Sequence, residues 1–144
     1  NSTGWLWHCI GRETGRIGHL VSPGSERGPW PWFPIALDNG AFSCWDMADN
    51  YFDPLKWEVM LPKWHALLFW AQVCGQPIRW AIVPDVPGNA LATMGRWPEY
   101  APFVQAANIP LAVAVQDGMT PDDVRQLRPR PEVIAVGGTT DWKW

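Results

Sequence analysis

Leu111-Ala112-Val113-Ala114-Val115-Gln116-Asp117-Gly118-Met119-Thr120-Pro121-Asp122-Asp123 decides the fold. Five apolar residues without alternation suit a strand covered on both faces. Asp117-Gly118 is turn chemistry. Thr120 then reads as a helix cap, Pro121 as the first helical position, and Asp122 and Asp123 as acids at the positive end of the helix dipole. Strand, polar turn and capped helix together make one βα unit.

The unit repeats outward in both directions. Downstream, Val133-Ile134-Ala135-Val136 ends in Gly137-Gly138-Thr139-Thr140. Upstream, Arg79-Trp80-Ala81-Ile82-Val83 ends in Pro84-Asp85, and Asn89 can cap a helix that Pro98 is expected to interrupt. Pro34-Ile35-Ala36-Leu37 ends in Asp38-Asn39-Gly40. Asp53 looks like a cap with Pro54 behind it, Pro62 is expected to restart the helix, and Gly75 is a plausible stop. Gly4-Trp5-Leu6-Trp7-His8-Cys9-Ile10 is a weak first strand candidate, and residues 22–34 read as loop. About five βα units in 144 residues predict an α/β fold with a parallel sheet. A doubly wound sheet and a (β/α) barrel share this pattern.

Bulk properties narrow the classes. With 47% apolar residues the chain can bury a core, and it has no stretch of 18 apolar residues, so no membrane partner is expected. Cys9, Cys44 and Cys74 are odd in number and form no CxxC pair, which fits a reducing cytoplasm and gives no metal site. A net charge of −3 is not a strongly basic nucleic-acid footprint. Twelve Trp, scattered without period, read as packing area. Asp46, Asp49 and Asp53 lack the glycine and terminal Glu of a calcium loop and read as solvated, and His65 as structural.

The chemistry lies at the strand ends. Asp38, Asp85, Gln116 and the Gly137-Gly138 pair each follow an apolar run. In parallel α/β folds those ends converge on one mouth. Carboxylates and an amide there can bind the hydrogen-bonding edge of a heterocycle, and a carboxylate can act as general acid or base. Each residue also has a plainer reading: an Asp after a strand is often a cap, Asn39-Gly40 a tight turn, and Gly137-Gly138 a loop or a phosphate-binding turn.

Ile35-Ala36-Leu37-Asp38-Asn39-Gly40-Ala41-Phe42-Ser43 resembles the Asp-Ser-Gly-Gly-Phe-Gln strand end of the tRNA-guanine transglycosylases. Val83-Pro84-Asp85-Val86-Pro87 resembles their second acidic strand end, Val113-Ala114-Val115-Gln116-Asp117-Gly118 their Val-Gln-Gly segment, and Val136-Gly137-Gly138 their Gly-Gly turn, in the same order. With Thr140-Asp141-Trp142-Lys143 after the glycines, the pattern is closer to a compact branch in phage and related elements, some members of which are linked to 7-deazaguanine in DNA. The resemblance spans about residues 33–143. Asn39 stands for the usual Ser, Ala41 for a Gly and Ser43 for Gln.

The resemblance implies a (β/α)8 TIM-type barrel, with residues 1–144 as one partial catalytic domain that forms its N-terminal portion. It implies a pentosyltransferase that exchanges guanine for a 7-deazaguanine in tRNA or DNA, the chemistry behind queuosine, without a cofactor. By the same resemblance Asp38 is the general acid/base and touches the base. Asp85 reads the purine edge, and Asn39, Gln116, Gly137 and Gly138 complete the base site. A further aspartate, later in the family's chain, attacks the sugar C1′; no residue here matches it, nor the family's C-terminal zinc site. Two rivals stay open: a non-catalytic base-binding module, and an unrelated phosphate-binding enzyme.

Overall fold

In the computed structural model, strands and helices alternate as the apolar runs require. The structure describes residues 18–24, 33–46 and 51–138, with Cys9, Arg12 and Asp49 besides. The strands are β1 (His19–Val21), β2 (Ile35–Leu37), β3 (Trp45–Asp46), β4 (Tyr51–Phe52), β5 (Ile78–Ile82), β6 (Leu111–Val115) and β7 (Val133–Val136). The helices are α1 (Pro54–Val73), α2 (Ala90–Ala106) and α3 (Pro121–Gln126), with a 3-10 turn at Ala41–Cys44.

Five strands form one parallel sheet in the order β1-β2-β5-β6-β7, and β3 and β4 make a small antiparallel hairpin. The order of the large sheet follows the chain without reversal. Each of α1, α2 and α3 links two neighbouring strands, as parallel pairing demands. All three helices pack on the same face. Ile35, Leu37, Ala81, Val83, Leu111 and Val113 share one buried cluster with Trp57, Trp64 and Leu68 of α1 and Trp97, Tyr100 and Val104 of α2, and Val124 of α3 packs against it. The opposite face carries Ile82, Ala112 and Ala114, with Trp80, Val133 and Ala135 against them. Side chains alternate across a strand, so β5 and β6 feed both clusters.

The caps fall where the sequence places them. Asp53 accepts from the backbone N–H of Leu55 and Lys56, Asn89 from Ala92, and Thr120 and Asp123 form a reciprocal capping box. The tryptophans pack as expected: Trp64 stacks edge-on against Tyr100 at 5.8 Å and joins α1 to α2. His65 lies against Phe103, 4.8 Å between ring centroids.

Three readings are corrected. Pro62 does not restart a helix: α1 runs through it, and α2 runs through Pro98 and Pro102. All three prolines are exposed, where water can satisfy the carbonyl that each leaves without its N–H partner. Among the described residues the first strand of the sheet is His19–Val21, where the sequence offered Gly4–Ile10, and the described ends of the 22–34 loop carry no strand. Of the run Gly4–Ile10 only Cys9 is described, and it is helical. The expected Thr140–Lys143 motif lies outside the described residues.

Candidate functional site

Each candidate residue sits just past the carboxyl end of a strand: Asp38 after β2, Asp85 after β5, Gln116 after β6, Gly137 after β7. Parallel pairing brings those ends to one edge. There Asp38, Asn39, Asp85, Gln116, Gly137 and Gly138 all line one cavity of about 260 Å³, together with Phe42, Pro87 and the sheet residues Ile82, Ala114 and Ala135. A larger groove of about 400 Å³ lies against α3, lined mainly by apolar residues with Arg125 and Arg130. The chemistry rather than the volume marks the strand-end cavity.

Asp85 is its centre. It is 6% exposed. The Asn39 side-chain amide donates to Oδ1 at 2.7 Å and the Gln116 amide donates to Oδ2 at 2.5 Å. The orientation of both amides is fixed from behind. Ala41 N–H donates to Asn39 Oδ1 at 2.8 Å, and Gly88 and Gly138 N–H each donate to Gln116 Oε1 at 2.9 Å. Both NH₂ groups therefore point at the carboxyl group. Asn39 also donates to the Val83 carbonyl at 3.0 Å, which ties the β2 end to the β5 end.

Burial raises the Asp85 carboxyl to about 6 against the Asn39 hydrogen bond, with the nearby Asp38 charge adding to the rise and Arg96 opposing it. Arg96 approaches from the helix side. Its guanidinium lies over Phe52 at 4.4 Å and Trp57 at 4.8 Å and donates to the Asp85 carbonyl at 2.8 Å. A cation held this way fixes the Asp85 backbone and offsets part of the buried charge.

Asp38 is placed differently. It is half-buried, and one carboxyl oxygen accepts from the Ser22 hydroxyl at 2.8 Å. No partner of its other oxygen is found among the described residues. Gly40, at φ +74°, makes the turn that the Asn-Gly pair predicts, while the Asn39 side chain reaches into the site. The dipeptide thus makes the turn and also sends an amide to the Asp85 carboxyl group.

Gly137 has no room for a side chain: a Cβ there would overlap the Gln116 amide and sit 2.9 Å from the Val115 carbonyl oxygen. Sequence reasoning did not single out Phe42, 71% exposed at the cavity, nor Ser22 and Arg96. Phe42 lay inside a quoted motif; Ser22 and Arg96 carry no local signal, because the fold alone brings them to Asp38 and Asp85.

Cys44 and Cys74 are free thiols, and among the described residues no group of His, Cys, Asp and Glu is arranged to hold a metal ion. No described helix is long and apolar enough to cross a membrane. Comparison with family models, curated proteins and solved structures finds no match for this chain.

Proposed function

We propose that the strand-end cavity binds a guanine-type base and that the chain belongs to a base-exchanging pentosyltransferase, which replaces guanine by a 7-deazaguanine in tRNA or DNA. The observation that carries this reading is the convergence of all six motif residues on one cavity. A parallel sheet brings strand ends together whatever their residues; what supports the reading is that the ends meeting here carry two carboxyl groups and two amides.

The winding supports a (β/α) barrel as the setting. A doubly wound sheet reverses its strand order and places helices on both faces. Here the order has no reversal and the helices share one face, two features that a barrel with its helices outside would also have.

The residues suit distinct roles. Asp85, with two amide donors on its oxygens, is a rigid acceptor for the N–H groups of a purine edge. Asp38, with an oxygen unoccupied among the described residues, suits a proton taken from and returned to the exchanging base. The exposed ring of Phe42 offers a face on which a flat base can stack. A phosphate at Gly137-Gly138 finds less support. The Gly137 N–H is held by the Val115 carbonyl and the Gly138 N–H by Gln116, and the cavity holds two carboxyl groups.

The test is incorporation of labelled guanine or 7-deazaguanine into tRNA and into duplex DNA by the full-length protein. Exchange in either polymer supports the reading. Base binding with no exchange in both favours a binding module.

A further inference from the structure

Helix α1 is apolar on two opposite faces. One buries Trp57, Trp64, Leu68 and Ala71 against the sheet and α2. On the other, Leu55, Val59, Pro62, Ala66, Phe69 and Val73 are all exposed. Leu55, Val59, Phe69 and Val73 are each more than 60% exposed. A helix face apolar along its whole length is ordinarily a buried one. The outer residues also alternate in steps of four and three, which holds a stripe in line along a helix pair. At 1.5 Å per residue the stripe is about 27 Å long.

The charges beside the stripe select the occupant. Glu58 and His65 flank one side, Lys56 and Lys63 the other. Lys56 is engaged within its own chain by Asp46 at 3.4 Å and Asp53 at 3.8 Å. Glu58 and Lys63 are exposed and form no ion pair among the described residues. In a parallel helix pair, a residue on one flank meets the residue five positions further along on the partner's opposite flank. That rule joins Glu58 to Lys63 of a second copy, twice by symmetry. An antiparallel pair sets the lysine flanks against each other.

We propose that the outer face of α1 is a homodimer interface, two copies packed parallel about a two-fold axis and flanked by reciprocal Glu58–Lys63 pairs. The usual obstacle to a short coiled coil, helix nucleation, is absent because α1 is already folded on the sheet. Pro62 and Ala66 are small and lie mid-stripe, so two helices can approach there. The interface is isologous and closes at two subunits.

The test is analytical ultracentrifugation of the chain over a concentration series. The expected result is a shift from 16.2 kDa to twice that mass as concentration rises. Phe69→Glu abolishes the shift while circular dichroism and melting stay as in the wild type, because the side chain is exposed. Glu58→Lys and Lys63→Glu alone each weaken self-association about tenfold, since attraction turns to repulsion at two sites. An equimolar mixture of these two variants restores wild-type affinity, because each supplies what the other lacks. A wild type that stays monomeric throughout, or a dimer indifferent to Phe69→Glu, overturns the interface. A mixture no tighter than either variant alone overturns the parallel pairing.

Discussion

Gln116 donates its side-chain amide to Asp85 Oδ2 at 2.5 Å, joining the ends of β6 and β5 inside the fold. Its carbonyl oxygen takes the N–H of Gly88 and of Gly138, so one amide clamps three strand-end loops. Gln116→Ala is expected to strand all three groups and open a cavity, at a cost on the order of 2–5 kcal/mol. Urea unfolding measures it. A loss below about 1 kcal/mol contradicts the clamp.

Gln116→Glu keeps the shape and sets a second carboxyl group against Asp85. Two like charges in contact cannot both ionise cheaply, so one proton is retained. The variant is expected to be destabilised most at pH 8 and to recover toward the wild type below about pH 5. Chemical denaturation across that range checks it, and a pH-independent difference speaks against carboxylate contact.

Asp85 gives the wild type its own pH dependence. Its folded value of about 6 lies above the ordinary 3.8, so the native state holds its proton more tightly than the unfolded chain. Stability from this group is therefore full below about pH 4 and is lost as pH rises through about 6. The loss is on the order of 3 kcal/mol. The difference between wild-type and Asp85→Asn stability curves should contain that step and then flatten. Purine binding should run the opposite way, strengthening as Asp85 ionises into an acceptor. A difference curve level from pH 4 to 7 contradicts the assignment.

Two glycines make a contrast. Gly137→Ala must push the Gln116 amide aside, so base binding should fall sharply along with stability. Gly95, within α2, has nothing within 4 Å of its would-be Cβ. Gly95→Ala should stabilise by about 0.5–1 kcal/mol and leave binding unchanged. Thermal melts and base titrations of both variants decide it.

How much of this was legible depended on how local the signal is. β5, β6 and β7 show as apolar runs, and the Asp53, Asn89 and Thr120 caps as single residues, because those signals lie within a few positions. β1 has only three residues, between glycine and proline, and its strand identity comes from pairing with β2. β3 and β4, two residues each, are likewise made by their partner. The prolines misled because propensity ignores which face meets water. At the site, strand ends named Asp38, Asp85 and Gln116. The bridging role of Asn39 did not show, since its amide reaches a residue 46 positions away.

The division of labour proposed for the two carboxylates predicts opposite lesions. In the full-length protein, Asp38→Asn should reduce base exchange by about 10²–10⁴-fold. It should leave fold and base affinity near wild type, because an amide keeps the shape but cannot carry the proton. Exchange at the wild-type rate in that variant removes Asp38 from the proton path.

The most direct measurement of the central claim is equilibrium binding of free guanine and 7-deazaguanine to the chain at pH 7.5, for wild type, Asp38→Asn and Asp85→Asn. The account predicts one base per chain for the wild type, binding retained in Asp38→Asn, and binding weakened about tenfold or more in Asp85→Asn, where the new amide turns a donor toward the N–H groups of the base. A wild type that binds neither base, or an Asp85→Asn variant that binds as tightly as the wild type, contradicts it.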